Sequence, residues 1–477
     1  MKISNRVLMN LRRIFSASLL GMLVLSALGA AGPDGGGDED AGPDNRGGTH
    51  HRFPDATGTI ETFTTSGAID TDNPFFQSLG SNGRACVSCH QASDAWTITP
   101  PHVQARFEAS RGHDPLFRLN DGANCSNLDV STLPARRSAY SLLLNKGLIR
   151  IAMPVPANAE FSVVSIDDPY HCSTPTELSM YRRPLPTANI KFLATVMWDG
   201  RETVPGQTIA ADLKTQASHA TTGHAQATVP PTDEQLDQIV RFQLGLFAAQ
   251  SKDQAAGDLT GDGARGGPRS LSQQEFFIGI NDPLGLNPFG TPFNPQAFDV
   301  FENWENIGRH RHGERAEARE SVARGERIFN TRTIPIADVP GLNGPNDKLA
   351  HVTIPGTCTT CHDSPNVGNH SVSAPLDIGI NAAARRTHDL PLFTLRCNAT
   401  AATVQTLDPG RAMVTGKCAD IGKVKGPILR GLAARAPYFH NGSAVTLMDT
   451  VNFYDGRFNL GLSDQDKEDL VAFLRSL

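Results

Sequence analysis

Eight cysteines hold most of the legible chemistry of this 477-residue chain, and four of them stand in two copies of one pattern. The copies are Cys86-Val87-Ser88-Cys89-His90 and Cys358-Thr359-Thr360-Cys361-His362. C-x-x-C-H is the attachment motif of a c-type haem. Two thiols one helical turn apart can form thioethers with the two vinyl groups on one porphyrin edge, and the next imidazole is then placed to bind the iron. A dithiol redox site needs no histidine after its second cysteine. A zinc site needs a second pair of ligands at matching spacing, which neither copy has nearby. The pattern therefore predicts two covalently bound haem c groups, with Cys86, Cys89, Cys358 and Cys361 as tethers and His90 and His362 as iron ligands.

The other four cysteines, Cys125, Cys172, Cys397 and Cys418, can pair in three ways or remain as buried thiols. Local pairing, Cys125 with Cys172 and Cys397 with Cys418, is the simplest, and each bridge would contribute roughly 3–4 kcal/mol by closing a loop of tens of residues. Disulfides require an oxidising compartment, and the N-terminus points to one. Lys2, Arg6, Arg12 and Arg13 precede an apolar run from Ile14 to Ala31 that ends in small residues, the pattern of a secretory signal over 1–31. A periplasmic location is expected, with membrane contact only for an uncleaved signal. Residues 32–59 open with a Gly/Asp/Pro stretch and read as a disordered tether. No cysteine precedes Cys86, so no lipoprotein anchor is expected.

The elements that position the two motifs read as mainly α. Length predicts two or three domains: an N-terminal haem domain over 60–250, a loop-rich Gly/Pro connection over 251–297, and a C-terminal haem domain over 298–477. Asn73-Pro74-Phe75-Phe76 leads into the first motif, and residues 142–151 are an apolar stretch of core character. Thr232-Asp233-Glu234-Gln235 is a capping box before Leu236, Ile239, Val240 and Gln243 at helical spacing. Residues 320–330 are helical in composition, and Ser463-x-x-Asp466 caps a helix with Leu470, Phe473, Leu474 and Leu477 on one face. Few segments alternate as strands do. The 44 glycines and 32 prolines call for abundant loop. A net charge of −6, without a basic arm, argues against nucleic acid as a partner. Asp258-Leu259-Thr260-Gly261-Asp262-Gly263 imitates a calcium loop, but Arg269 stands where its bidentate glutamate belongs, so it is expected to be a turn.

Two further segments are Met197-Trp198-Asp199-Gly200-Arg201-Glu202 and Lys425-Gly426-Pro427-Ile428-Leu429-Arg430, the latter running on to Ala436-Pro437-Tyr438-Phe439-His440-Asn441-Gly442-Ser443. Together with the haem motifs, they resemble the conserved segments of bacterial diheme cytochrome c peroxidases, and most closely those of the MauG-type diheme oxidases. The resemblance implies two cytochrome c-like haem domains and an H2O2-dependent oxidoreductase. The N-terminal haem, on His90, would react with peroxide, and the C-terminal haem, on His362, would store or relay oxidising equivalents. Trp198 would lie between the haems. Electrons would come from a small donor protein or from a protein substrate.

The resemblance also frames the peroxide pocket. After the Trp motif the family has a leucine, a glutamine-alanine pair and then a glutamate; here Leu213, Gln216 and Ala217 fit, but Gln226 stands in the glutamate's place. Glutamine can orient peroxide but cannot take its proton. His224 or His219 could supply that function, close the haem as a sixth ligand, or simply face solvent. Calcium often lies between the domains in this family, but its expected asparagine is not evident near Arg183-Pro184, so Ca2+ stays open. Counting from His440, Tyr454 falls where peroxidases of the family carry an axial methionine and MauG-type enzymes a tyrosine. Tyr454 is thus the expected sixth ligand of the C-terminal haem iron, with Met413 and Met448 as fallbacks in a methionine-ligated peroxidase. Phenolate is hard and anionic and favours oxidised iron, whereas thioether sulfur favours Fe(II). A non-catalytic diheme electron-transfer cytochrome, with both irons closed, is the alternative function.

Mass spectrometry of the mature protein should show two covalent haem additions and the loss of roughly 30 N-terminal residues. A single addition, or none, would remove the basis of the whole reading.

Overall fold

Capped amphipathic segments become helices where the sequence predicts them. Thr232 Oγ1 accepts the Gln235 N–H (3.2 Å) while Gln235 Oε1 accepts the Thr232 N–H (2.9 Å). This box opens helix Asp233–Leu244, which buries Leu236, Ile239 and Val240. Ser463 and Asp466 exchange the same bonds at the head of helix Asp464–Arg475, whose buried face includes Leu470, Phe473 and Leu474. The expected helix over 320–330 extends to Glu314–Thr331 and packs against that last helix. Gly325 permits their close approach, because a Cβ there would stand 2.0 Å from the Asp469 carbonyl oxygen. Phe298, Phe329 and Phe473 fill the space beside them, their ring centroids 5.2–5.6 Å apart.

The computed structural model describes residues 50–309 and 311–477. The expected signal segment and the tether up to residue 49 lie outside the described residues. The mainly α expectation needs correction, for eleven strands in four antiparallel sheets stand among the described residues. One sheet orders His50–Asp55, Gly58–Thr64, Leu246–Asp253 and Gly257–Asp258. A second orders Thr403–Thr406, Leu392–Cys397 and Phe161–Asp167. Two-stranded sheets pair Ile149–Pro154 with Glu177–Arg182, and Ile334–Ile336 with Ile354–Gly356. These strands escape a search for alternation because most are short. The longest, Leu246–Asp253, is buried at nearly every position and shows no period of two.

The tether expected to reach residue 59 is likewise shorter, since the chain from His50 already forms a hairpin that places Ile60 in the core. The connection expected over 251–297 contains the end of strand Leu246–Asp253 and helix Gly267–Ser272, with Leu259 and Leu271 fully buried. The calcium-loop imitation is a turn. Asp258 Oδ1 accepts from Thr260, and Asp262 pairs with Arg311 and Arg319.

The halves around the two motifs interlock. Phe161–Asp167 from the first half lies beside Leu392–Cys397 from the second. The C-terminal Leu477 carbonyl accepts from Gln250 (3.1 Å) and Gly431 (2.8 Å), and Arg475 pairs with Asp253 (2.6 Å). All described residues fall in one compact unit. None of their helices is long and apolar enough to cross a membrane.

Both local disulfides form: Cys125–Cys172, 47 residues apart, and Cys397–Cys418, 21 apart. Replacing Cys125 and Cys172 with alanine should lower the unfolding free energy by about 4 kcal/mol, and the Cys397/Cys418 pair by about 3 kcal/mol. Denaturant titration checks this; an inverted order would show that loop closure is not the governing effect.

Candidate functional site

The two C-x-x-C-H motifs fold into the same local structure. Each opens a short 3-10 turn, Cys86–Ser88 and Cys358–Thr360. The Ala85 N–H donates to Ser88 Oγ (3.0 Å) in the first, and the Thr357 N–H to Thr360 Oγ1 (2.9 Å) in the second. The histidine N–H then bonds back to the first cysteine's carbonyl, at 3.1 Å for His90 and 3.2 Å for His362. Both imidazoles are oriented alike: Nδ1 of His90 donates to the Trp96 carbonyl (3.0 Å) and Nδ1 of His362 to the Gly368 carbonyl (2.8 Å). A carbonyl can only accept, so Nδ1 holds the proton and Nε2 presents its lone pair to a metal. Burial lowers the pKa of His90 to about 4 and lowers that of His362 as well, keeping both rings neutral.

The four motif cysteines are outside the disulfides. Burial pushes the thiols of Cys86, Cys358 and Cys361 up to about 12, and that of Cys89 upward too. Thiols this weakly acidic do not suit a dithiol redox site, which works through a thiolate. Their position at the cavities, Cys86 and Cys89 at the first and Cys358 and Cys361 at the second, suits tethers to a porphyrin.

Each motif lines its own large cavity. Apolar side chains such as Phe75, Ile149 and Leu213 line the first, and Phe329, Leu376, Val451 and Leu474 the second. The residues present thus fit two haem groups. Arg183, Pro184, Pro186 and Trp198 line both cavities, so Trp198 stands in the wall between them. Its Nε1–H donates to the Arg183 carbonyl (2.8 Å), and its own carbonyl accepts the Lys425 N–H (2.8 Å).

Buried charge holds this wall. Arg182 donates to both oxygens of Asp408 (2.6 and 2.9 Å) and to Asp199 (2.5 Å), the aspartate next to Trp198. Burial alone would raise the Asp199 pKa, but Arg182 and Arg201 outweigh it and hold the carboxyl down to about 2. Lys425 Nζ lies 5.9 Å from the Trp198 ring centroid, and burial, with Arg435 nearby, lowers its pKa to about 7.

The structure divides the residues expected for peroxide handling. Gln216 and His224 line the first cavity. Gln226 does not: it is exposed, in the left-handed region at φ 55°, and its side chain accepts from Asn82. Helix Ile209–Gly223 ends before it, so a spacing counted along a continuous helix no longer applies. His219 is exposed and pairs with Glu202 (3.0 Å). Sequence reasoning missed Asp121 and Arg84. The Asp121 carboxylate is paired with both His224 Nδ1 and the Arg84 guanidinium. Burial opposes ionisation of Asp121, yet those two partners prevail and lower its pKa. No sequence spacing links Asp121 to His224; the only signal was the nearness of Arg84 to Cys86.

Tyr454 lies on helix Leu447–Phe458 and lines the second cavity with Cys358, Cys361 and His362. Burial, with Cys361 and Cys358 beside it, raises its pKa. Its hydroxyl has no hydrogen-bond partner among the described residues, unlike Tyr438 and Tyr181, whose hydroxyls donate to backbone carbonyls. Neither Met413 nor Met448 lines either cavity; Met413 packs in a core with Phe161 and Phe393. His440, which sequence reasoning used only as a landmark, lines the second cavity with its ring 5.9 Å from that of Trp198.

No protein-family model matches the chain. Among curated proteins, Cytochrome-c peroxidase IdrP2 of Denitromonas iodatirespirans is 34% identical over 133 residues, 26% of this chain and 36% of the relative. Cytochrome-c peroxidase IdrP1 of Pseudomonas sp. (strain SCT) is 37% identical over 82 residues, 15% of this chain and 22% of the relative. The match thus spans about a third of the first relative's length and about a fifth of the second's. Among solved structures, a MauG-like protein associated with microbial copper homeostasis aligns over 85% of this chain and 86% of its own, with 15% identity and a TM-score of 0.38.

Replacing Arg182 with methionine leaves two buried carboxylates without their cation. Urea titration should show a loss of about 3–5 kcal/mol; a loss below about 1 kcal/mol would mean that the wall does not depend on this pair.

Proposed function

We propose that this chain, similar over part of its length to cytochrome-c peroxidases, is an exported diheme peroxidase-type enzyme that consumes hydrogen peroxide. The observation that carries this reading is the pair of cavities, each built on one C-x-x-C-H motif and both walled by Trp198. Bound there, haem c would supply iron for one-electron chemistry. Cys86, Cys89 and His90 would hold the first group, in a domain over 60–250. Cys358, Cys361 and His362 would hold the second, in a domain over 298–477. By its resemblance to the family, the first cavity takes peroxide and the second stores or relays oxidising equivalents. A small donor protein or a protein substrate supplies the electrons.

This chain's own residues account for the proton. Peroxide cleavage requires a proton to move from the inner to the outer oxygen, through a group within hydrogen-bond reach. His224 serves as that group: its Nδ1 is engaged by Asp121, which leaves Nε2 to take and return the proton. Asp121, kept ionised by His224 itself and by Arg84, stabilises the imidazolium while it lasts. Gln216 orients the peroxide through its carboxamide. Trp198 passes oxidising equivalents across the wall, its indole held by Arg183 and Lys425. The Tyr454 oxygen would be a further ligand of the second haem's iron, a role supported by its place in the cavity and its unpartnered hydroxyl.

EPR of the purified ferric protein should show one open, high-spin haem and one closed haem. Tyr454→Phe should change only the closed signal, whereas His224→Ala should leave both signals in place and slow the reaction with peroxide by about 10²–10⁴-fold. Two closed haems that stay spectrally unchanged under excess peroxide would identify an electron carrier instead. A Tyr454→Phe spectrum identical to the wild type would return the tyrosine to core packing.

A further inference from the structure

Next to the second motif lies a buried cluster that the peroxide reading does not use. Asp282, Asp363 and His370 each bring one ligand atom to within 4.8 Å of the others. Their exposures are 1%, 0% and 8%. Asp363 and His370 lie on the loop that follows His362, and Asp282 lies in the connection between the two halves.

The surroundings hold these side chains in place without satisfying them. Asp282 Oδ2 accepts the N–H groups of Leu284 (3.0 Å) and Leu286 (2.9 Å). Asp363 accepts the N–H (2.8 Å) and the hydroxyl (2.9 Å) of Ser371. Asn281 Nδ2 donates to the Asp363 carbonyl (3.1 Å), tying the connection to the motif loop. Yet Asp282 Oδ1 and His370 Nδ1 have no hydrogen-bond partner among the described residues. His370 Nδ1 stands 3.4 Å from Asp363 Oδ2. Neither carboxylate is paired with a lysine or arginine among the described residues.

Buried carboxylates are found paired with cations or coordinating metals, because taking an ionised group out of water is otherwise strongly unfavourable. A proton shared between Asp363 and His370 would relieve one charge and still leave Asp282 Oδ1 without a partner. A divalent cation would neutralise both carboxylates, and each of the three side chains brings a ligand atom close enough to share it. One imidazole nitrogen with two carboxylates is not the all-oxygen set that Ca2+ and Mg2+ take. Such a mixed set suits a first-row ion such as Zn2+.

We propose that Asp282, Asp363 and His370 form a structural site for a zinc-class divalent ion, which clamps the connection onto the loop behind the second C-x-x-C-H motif. The clamp works without peroxide, although one of its ligands, His370, also lines the second cavity.

The test uses the full-length, haem-loaded protein, stripped with a chelator and titrated with Zn2+, with Ca2+ as the oxygen-ligand control. Calorimetry and metal analysis should find one Zn2+ per chain and a melting temperature that rises on loading. Asp282→Asn keeps an acceptor for the Leu284 and Leu286 N–H groups while removing the charge, and it should weaken Zn2+ binding at least about tenfold. His370→Gln should do the same. A wild type that takes up no Zn2+, or that prefers Ca2+, overturns the proposal, and so does Zn2+ binding left intact by both substitutions. If a variant fails to fold, the wild-type titration decides alone.

Discussion

Arg182, clasped between Asp199 and Asp408, is the interaction on which the arrangement of the two cavities depends. It joins three segments far apart in the chain: the end of strand Glu177–Arg182, the Trp-Asp-Gly-Arg segment, and the turn after strand Thr403–Thr406. All three side chains are almost wholly buried. No one of them can withdraw without stranding charge in the interior. Burial would lower the Arg182 pKa, but the two carboxylates outweigh it and keep the guanidinium charged. Trp198 is therefore held in the wall by the aspartate next to it, and His440 Nε2 lies 3.7 Å from the same Asp408.

The same residue type solves a wider problem. A chain with 44 glycines and 32 prolines runs much of its backbone as loop, and loop carbonyls in the interior need donors. Arginines supply them. Arg84 donates to the carbonyls of Pro115 and Leu116, and Arg183 to those of Ile98, Lys146 and Arg435. Arg136 holds Arg111 and Val130, and Arg332 holds Leu460 and Gly461. The planar fork reaches several carbonyls at once while its charge persists. Where helices such as Ile209–Gly223 and Leu447–Phe458 do not form the cavity walls, such donors hold the loops between them.

What could be read from the sequence was local. The haem motifs, the capping boxes at Thr232 and Ser463, and the nearest-neighbour disulfides each depend on residues close in the chain. The structure realises the caps and the disulfides as expected. The long-range pairs left no trace. Asp121 meets His224 across 103 positions, and Arg182 meets Asp408 across 226. The strand that joins the halves, Phe161–Asp167 on Leu392–Cys397, is mostly half-buried and exposed along Phe161–Asp167 and shows no clean alternation there. Gln226 was misplaced for a local reason: Gly223 ends its helix, and the chain turns outward through a left-handed residue. Tyr454 was reached by a count from His440 that crosses a turn before helix Leu447–Phe458 begins, and the residue does line the second cavity.

The two cavities differ in the way that two different tasks would require. The first includes Arg84, Asp121, Arg201, Gln216 and His224 in its lining, a set able to hold and pass a proton. Its histidine is backed by a carboxylate and that carboxylate by a guanidinium, so a proton gained at the imidazole meets a prearranged counter-charge. Around Cys361 and Tyr454 the second is lined chiefly by Leu, Ile, Val and Phe side chains. Water and free protons are unwelcome there, and a group that holds an oxidising equivalent is shielded from side reactions. The lining of the second cavity also includes Arg183, Lys425 and His440, together with Trp198. Lys425, with its pKa lowered to about 7, sits near the balance between charged and neutral beside the indole. Charge of both signs thus borders the indole, Lys425 over its ring and the ionised Asp199 in the next residue.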